Sequence, residues 1–418
     1  MVKASRRGAD LSPVRHRNRH YYLSCLLACA CAAALAAPSA TAKQSATTSW
    51  AQPQIKEVVA HGLMAPSVAA FHANDPLTQT ELDELLPALP SELATAPDTT
   101  TDPSHTTTDP TGTTTDPSRT TTDPTTTDPT STEPTTTTPS GPPPGSPKPG
   151  TRVTVAAFDT ALVDQLGLTG AATRFRDAAR LVGLAPPKRF GSETVARLLG
   201  LRTNHPAWED KLELLPTDAI TRAEAAYSVA QVLSFRGGEA QWVDDVSYEL
   251  TLPTLNAWQK RILNYAVSFV GYPYIWGGSS PNTQTVFGRN LPGGFDCSGF
   301  VWRVYKLRHY PGGGRLSTTL RGRTTFTMSV EVPPSKRIGF DALQPGDVLF
   351  FGAAGPRSKW WQINHTAIYL GDNWFIQSSS NGVDVVPLEG WYQTRFAWAR
   401  RPLAEAGLTN VYAIQSSS

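Results

Sequence analysis

The chain has 418 residues, of which 40% are hydrophobic and 17% charged, a balance typical of folded domains rather than of a wholly disordered chain. The formal charge of +2 reflects 37 basic and 35 acidic residues, but the first 42 residues hold six of the basic and one of the acidic side chains. The 376 residues that follow carry a charge of −3, so the balance gives no reason to expect nucleic-acid binding.

Residues 1–42 have the pattern of an export signal. Basic side chains dominate the first 20 residues, an apolar run follows from Tyr21 to Ala37, and small residues at Ala40-Thr41-Ala42 suit a cleavage site. We therefore predict a signal peptide over residues 1–42 and a secreted protein with no transmembrane segment after its removal. The run Leu26-Leu27-Ala28-Cys29 weakly resembles a lipoprotein cleavage box, which leaves lipid anchoring open as an alternative.

Residues 43–97 predict a small helical segment. An apolar helix ends at Gly62-Leu63, and Thr78-Gln79-Thr80-Glu81 fits a capping box, in which threonine and glutamate satisfy exposed amides at a helix start. Residues 98–150 then consist largely of Thr, Pro, Asp, Ser and Gly with recurring Asp-Pro steps. With almost nothing to bury and many prolines, this segment is predicted to be a disordered linker.

A second helical region is predicted over residues 151–240. Thr221-Arg222-Ala223-Glu224 repeats the capping-box pattern, and Gly200-Leu201 repeats the helix ending. Helix, Gly-Leu, loop, Thr-x-x-Glu and helix together resemble the S-layer homology repeat, and this resemblance implies binding to a secondary cell-wall polymer. The alternative is an ordinary helical domain with capped helices. No histidine here has metal-ligand spacing, so no metal site is expected.

Residues 254–402 show a helical stripe followed by short apolar segments with strand periodicity. A helix is predicted that carries Cys297 in its first turn. Strands are predicted at 348–351, 364–371, 374–378, 383–386 and 396–400. Residues 403–418 are left as a C-terminal tail. The fold class is therefore α+β, with helices packed on an antiparallel sheet.

Cys297 is the one cysteine outside the predicted signal, so an internal disulfide is excluded. Asp296 and Ser298 flank it at a predicted helix start, a position that lowers a thiol pKa and favours a nucleophile. A base is then needed, and His365 at the start of a strand suits this role better than His309, which precedes a Gly-rich loop.

The base also needs an acceptor that orients its second ring nitrogen. Gln377 shares strand parity with His365 across the predicted hairpin turn near Gly371, so the two side chains should share a face. Cys297, His365 and Gln377 are the predicted catalytic residues.

Four motifs in this order resemble the NlpC family of bacterial cell-wall cysteine peptidases: Tyr-x-Trp-Gly-Gly from Tyr274, Phe-Asp-Cys-Ser-Gly-Phe-Val from Phe295, Leu-x-Pro-Gly-Asp-Val-x-Phe-Phe from Leu343, and His-x-x-Ile-Tyr-Leu-Gly from His365. The resemblance implies a papain-like domain that acts on peptidoglycan stem peptides without a metal or organic cofactor. It places Tyr274, Asp296 and Ser298 in the substrate groove, with the latter two at the free amine of a peptide. Glutamine at the third catalytic position departs from the commoner histidine.

The sequence thus predicts a secreted, extracellular or cell-wall-associated peptidoglycan endopeptidase, and the resemblance implies cleavage between D-glutamate, through its γ-carboxyl, and diaminopimelate or lysine. Two alternatives stay open: a cysteine amidase or acyltransferase on the same fold, and a catalytically silent wall-binding protein.

Overall fold

A computed structural model of the protein describes residues 49–89, 150–204 and 214–409. The predicted signal peptide, the linker apart from Gly150, and residues 410–418 lie outside the described residues.

The described part of the chain before residue 250 is helical. Its helices are α1 Gln52–Ala60, α2 Gln79–Leu85, α3 Val155–Gln165, α4 Thr169–Leu181, α5 Phe190–Leu198, α6 Arg222–Leu233 and α7 Glu239–Glu249.

Three short extended segments hold these helices together through a closed ring of backbone hydrogen bonds. The amide of Leu77 donates to the carbonyl of Ile220 (2.9 Å), Ile220 donates to Val153 (2.9 Å), and Val153 donates back to Leu77 (3.0 Å). All three side chains are buried. Each segment accepts a backbone hydrogen bond from another segment of the ring. The segment before the linker and the two segments after it therefore belong to one helical body, to which both ends of the linker are attached.

Each segment of the ring runs into a helix capped by a threonine. Thr78 and Glu81 form the predicted capping box at α2. At α6 the Thr221 side chain accepts from the Glu224 amide as predicted, but the carboxylate of Glu224 pairs with the buried Arg202 at 3.4 Å. The third cap, Thr154 at α3, was not predicted.

The C-terminal half is an α+β unit. Its helices are α8 Ala257–Val267, α9 Cys297–Trp302, α10 Leu316–Thr319, α11 Thr325–Val330, α12 Gly390–Arg395 and α13 Pro402–Glu405, with a π-helical turn at Arg303–Leu307. Its strands are β1 Ser279–Ser280, β2 Gln284–Val286, β3 Arg289–Leu291, β4 Gly294–Phe295, β5 Val348–Gly352, β6 Ile363–Gly371, β7 Trp374–Ser379, β8 Gly382–Pro387 and β9 Phe396–Arg400.

The main sheet has the order β8-β7-β6-β5-β9, and all its neighbours are antiparallel. Both faces are buried: Phe350 and Ile376 pack on one side, and Phe351 and Phe375 on the other. The predicted hairpin turn joins β6 and β7, and its Asp372 adopts the left-handed backbone conformation that such turns require. The predicted fold class is therefore confirmed.

Helix α9 packs against β6, which brings the first turn of the cysteine helix to the strand that carries the predicted base. Phe300, Val304 and Tyr305 are buried, whereas Leu307 is exposed. The π-helical turn that contains Leu307 shifts the helical register by one residue, so the last apolar position points away from the core.

The helical body docks on the β7–β8 end of the sheet through buried Arg197 of α5. Its guanidinium donates to the carbonyls of Gly271 (2.9 Å) and Asn381 and pairs with Glu193, and both charged side chains are fully buried. One apolar cluster runs through both parts of the chain. Since β8 is an edge strand, this contact also covers an otherwise open sheet edge.

We expect Arg197→Ala to lower the free energy of unfolding by roughly 3–5 kcal/mol, because it leaves Glu193 as a buried carboxylate without its ion-pair partner. Urea denaturation followed by tryptophan fluorescence measures this. The control is Arg180→Ala, which removes an exposed pair with Asp177 and should change the free energy by less than about 0.5 kcal/mol. Equal effects of the two substitutions would contradict a stabilising role for the buried pair.

Candidate active site

Asp296 fixes the start of the helix that carries the nucleophile. One carboxylate oxygen accepts from the amide of Gly299 (2.5 Å), and the other accepts from the amide of Gly277 (2.9 Å). The residue therefore caps α9 and ties it to the turn after Trp276.

The glycines of the two motifs allow this turn and this helix to touch. A Cβ on Gly299 would lie 1.8 Å from the carbonyl oxygen of Gly278, and one on Gly278 would lie 2.7 Å from that of Gly294. Only backbone without side chains packs this closely, which accounts for glycine on both sides of Cys297.

Cys297 is 8% exposed and lies with its sulfur 3.6 Å from the hydroxyl of Thr325. Burial and the neighbouring Asp296 carboxylate raise the pKa of the thiol to about 11, although hydrogen bonds from Thr325 and from the backbone of Thr366 and Ser298 act in the opposite direction. The prediction of a lowered thiol pKa is wrong for this state, because desolvation of the thiolate outweighs the effect of the helix start.

His365 stands on β6, next in sequence to Thr366, whose backbone reaches the sulfur. Its Nε2 lies 2.6 Å from Oε1 of Gln377. Burial lowers the pKa of the imidazole to about 4, and the bond to Gln377 offsets this only in part. In this state the dyad is therefore a neutral thiol and a neutral imidazole.

Gln377 is fully buried on β7, so it is not a solvent-facing strand residue. Its amide nitrogen donates to the hydroxyl of Tyr392 on α12 (2.7 Å), which turns the carbonyl oxygen toward His365. Nε2 of His365 then carries the proton, and Nδ1 is the nitrogen with a free lone pair for the thiol. Sequence reasoning missed Tyr392, which no motif marks.

The structure pairs His365 with Gln377 and brings the backbone of Thr366, the next residue after His365, to the sulfur of Cys297. His309 is exposed on the surface. Of the predicted groove residues, Tyr274 is half-buried and forms a parallel bridge with Phe295, two residues before the nucleophile.

Comparison with known proteins identifies the domain. The model of the NlpC/P60 family matches residues 271–401. Residues 271–401 form an NlpC/P60 domain. The match confirms the family resemblance of this part of the sequence and the fold that the resemblance implied.

The relatives of the NlpC/P60 domain carry names that state different activities. A probable peptidoglycan endopeptidase LytE of Bacillus subtilis is 32% identical over 34% of this chain and 34% of its own length. Murein DD-endopeptidase MepH of Escherichia coli is 30% identical over 34% of this chain and 45% of its own. A gamma-D-glutamyl-L-lysine dipeptidyl-peptidase of Bacillus cereus is 27% identical over 38% and 47%. The chain spans less than half the length of these relatives.

The side chains of Asp296 and Ser298 in the NlpC/P60 domain accept hydrogen bonds from a cationic side chain of the same protein. Ser298 donates to the Asp296 carboxylate (2.9 Å), and the guanidinium of Arg323 donates to both side chains. Arg323 lies in the long segment between Tyr310 and Ile338, where the sequence offered no periodicity or motif.

The same segment closes one side of the site. Helix α11 follows Arg323 and packs against β6 and against the short 3₁₀ turn Trp360–Gln362. Trp360 and Trp361 form an exposed edge-to-face pair on this turn, close to the strand of His365. The pair therefore gives exposed aromatic surface on the turn that leads into the strand of His365.

Among the described residues no group of three or more His, Cys, Asp or Glu side chains is arranged to hold a metal ion. Over the same residues no helix has the length and apolar character needed to cross a bilayer.

We expect Cys297 in the free protein to titrate near pH 11, because burial disfavours the thiolate. Thiolate absorbance at about 240 nm, followed from pH 5 to pH 12 and corrected with Cys297→Ala, measures the thiol directly. The absorbance should be absent at neutral pH and appear only at high pH. A thiolate already present at pH 6 would show a preformed ion pair with His365 and contradict this description.

Proposed function

We propose that this chain is a peptidoglycan hydrolase whose NlpC/P60 domain is a cysteine endopeptidase. The observation that carries the proposal is the chain of hydrogen bonds from Tyr392 through the buried Gln377 to His365, on the strand that packs against the helix of Cys297. A wall-binding domain without catalytic activity would not need a fully buried amide that sets the tautomer of one imidazole.

The neutral dyad favours proton transfer that is coupled to attack. Nδ1 of His365 takes the thiol proton as the sulfur bonds to the peptide carbonyl carbon, so no free thiolate has to accumulate in the buried site. The backbone amide of Cys297, at the start of α9, is positioned to donate to the oxyanion that forms. Gln377 accepts from Nε2 and stabilises the imidazolium, although less than a carboxylate would.

The reaction then completes in two steps. The imidazolium returns its proton to the leaving nitrogen as the C–N bond breaks, which leaves a thioester on Cys297. His365 next deprotonates a water, which attacks the thioester, releases the acid and restores the thiol.

We further propose the bond between D-glutamate, through its γ-carboxyl, and the third stem residue, diaminopimelate or lysine, as the substrate. The name of the Bacillus cereus relative supports this bond, whereas the name of the Escherichia coli relative points to a DD bond. Action on this polymer also supports the proposed secretion, with which the export-signal pattern of residues 1–42 agrees.

Graded losses test the assignment of roles. Cys297→Ala and His365→Ala should both reduce kcat to the detection limit, because these residues act as a unit. Gln377→Ala should lose roughly 10- to 1000-fold, and Gln377→His should retain substantial activity. Tyr392→Phe should lose about 3- to 30-fold, since it leaves the Gln377 amide without an acceptor.

The measurement is kcat on one muropeptide, with products identified by mass spectrometry so that an amidase or acyltransferase would be recognised. Two controls apply. His309→Ala changes an exposed histidine, and Tyr310→Phe removes a buried hydroxyl that donates to the carbonyl of Val304, seven residues after Cys297. Both should keep kcat within about 2-fold. An inactive His309→Ala together with an active His365→Ala would overturn the assignment.

We also propose that the helical body binds a secondary cell-wall polymer. Support comes from the ring of Leu77, Val153 and Ile220, which relates three Thr-capped helices and so extends the repeat pattern seen in the sequence. Beside the ring is an open cavity of about 610 Å³, lined in part by Arg222 and Glu81.

Sedimentation of full-length Cys297→Ala protein with purified walls tests this second proposal without digestion of the walls. We expect at least about 10-fold tighter binding to complete walls than to walls stripped of their secondary polymers. Equal binding to both preparations would assign wall affinity to the NlpC/P60 domain instead.

A further inference from the structure

Positive charge is concentrated in one stretch of the C-terminal half. Residues 254–323 contain nine Lys or Arg side chains and one acidic side chain, Asp296, which gives this stretch a charge of +8. The other residues of 43–418 together carry −11. The small net charge of residues 43–418 therefore conceals a strong separation of charge along the chain, which favours a surface for an anionic partner.

Several of these cations lie on the part of the surface formed by α8, the π-helical turn and α10. Both α8 and α10 pack against the π-helical turn. The rings of Tyr265 and Tyr310 connect α8 to the end of the turn, with their centroids 6.5 Å apart. We define the basic face by the cations of these elements and their flanks: Arg261, Arg303, Lys306, Arg308 and Arg315.

Aromatic rings hold three of these cations in place. The guanidinium of Arg261 lies over the ring of Trp258, 4.3 Å from its centroid. The guanidinium of Arg308 lies over Tyr265 at 4.8 Å, and the hydroxyl of the same tyrosine accepts from Nε of Arg303 at 2.9 Å. A stacked guanidinium keeps its N–H edge for a ligand, and a side chain that is already ordered loses less entropy on binding.

No carboxylate of the described residues neutralises the basic face. The ion pairs of the NlpC/P60 domain and its flanks use other arginines: Arg323, Arg400 and Arg401. Arg308 and Arg315 are exposed to solvent, and the other three cations are half-buried. Because like charges at short range repel one another, an anionic ligand would stabilise this face.

The arrangement of the cations indicates the kind of anion. They are spread over three elements, which suits a chain of phosphates better than one phosphate group, and guanidinium groups bind phosphate oxygens in pairs. Among the exposed large apolar side chains of the described residues, Leu307 alone lies on these elements. A lipid surface would therefore gain little apolar burial from this face.

We infer that the basic face binds a linear phosphodiester polymer of the cell wall, at a site separate from the catalytic one. The choice of a wall polymer rests on the proposed function, whereas the phosphate chemistry does not. Cys297 begins α9 and Arg303 follows its last residue, so the two sites lie about 9 Å apart along one helix. A polymer on the basic face leaves the cysteine accessible and holds the domain on the wall.

Calorimetry of the full-length protein with synthetic poly(glycerol phosphate) tests the inference. The test variant combines Arg261→Gln, Lys306→Gln and Arg308→Gln. We expect its Kd to be at least about 10-fold higher than that of the wild type at about 50 mM salt. The slope of log K against log salt should also fall by about 2, since each phosphate contact on a single strand contributes about 0.7.

A matched control removes the same charge from other elements of the C-terminal half. It combines Arg289→Gln, Lys336→Gln and Arg357→Gln, three exposed cations outside the basic face. Its Kd should change by less than about 3-fold. The helical body is unaltered in both variants, so any binding by that body cancels from the comparison. Equal losses in the two variants would show unspecific attraction and overturn the inference.

Three other anions of matched charge identify the source of the binding: polyglutamate, oligodeoxythymidine and vesicles that contain an anionic lipid. We expect each of them to bind the wild-type protein at least about 3-fold more weakly than poly(glycerol phosphate). Polyglutamate that binds equally well would show that any polyanion is sufficient. Tighter binding of the DNA or of the vesicles would assign the face to nucleic acid or to membrane. Each of these results would overturn the inference.

A second measurement uses the unaltered protein, in case the test variant does not fold. Arginine modification by a dicarbonyl reagent is mapped by mass spectrometry with and without poly(glycerol phosphate). The polymer should slow the modification of Arg261 and Arg308 at least about 5-fold and leave Arg289 and Arg357 unchanged. Equal protection of all four arginines, or protection of none, contradicts binding at the basic face.

The polymer contains no peptide bond, which separates this inference from the proposed function. A protein that binds the polymer through the basic face but cuts no muropeptide would refute only the proposed function. A protein that cuts muropeptides but does not bind the polymer would refute only the inference.

Discussion

The carboxylate of Asp296 is the contact on which the catalytic half depends. It caps the helix of Cys297, holds the turn after Trp276 through the Gly277 amide, and anchors Arg323 from a segment that follows about 25 residues later. The same negative charge opposes the chemistry, because it helps to raise the pKa of the adjacent thiol. Asp296 thus fixes the positions of the sulfur, the oxyanion donor and the Arg323 cation, but it makes the thiolate harder to form.

The buried, neutral dyad can still act because Gln377 orients the imidazole of His365 through its second ring nitrogen. Desolvation leaves thiol and imidazole neutral, so charge has to form only during attack, and the surroundings must be ready for it at that moment. A chain of uncharged partners, Gln377 and Tyr392, orients the imidazole without adding a second buried negative charge beside Asp296. Glutamine in place of an acid is consistent with a site that already contains one carboxylate.

The sequence predicts the structure correctly where hydrophobic alternation or a local turn motif determines the backbone geometry. Alternation and a turn of two left-handed residues located β6 and β7, and strand parity alone put Gln377 beside His365. Three features had no such signal. Tyr392 reaches the site from the short helix α12 and Arg323 from an irregular segment, and the placement of both depends on tertiary packing. Thr154 caps α3 without a glutamate three residues on, where Ala157 stands, so the capping-box pattern was missing. The thiol pKa was misjudged because burial cannot be read from a helix start.

The ring of Leu77, Val153 and Ile220 gives the long linker an unusual place in the chain. Both ends of the segment between Leu89 and Gly150 return to the same helical body, so the linker does not separate two parts that could drift apart. A single break in the backbone there would leave two polypeptides that still share two of the three ring hydrogen bonds, the contact between α1 and α6, and a common core. Such a nicked molecule would migrate as two chains under denaturing conditions and as one particle under native ones, and its smaller chain would behave as a tightly bound subunit.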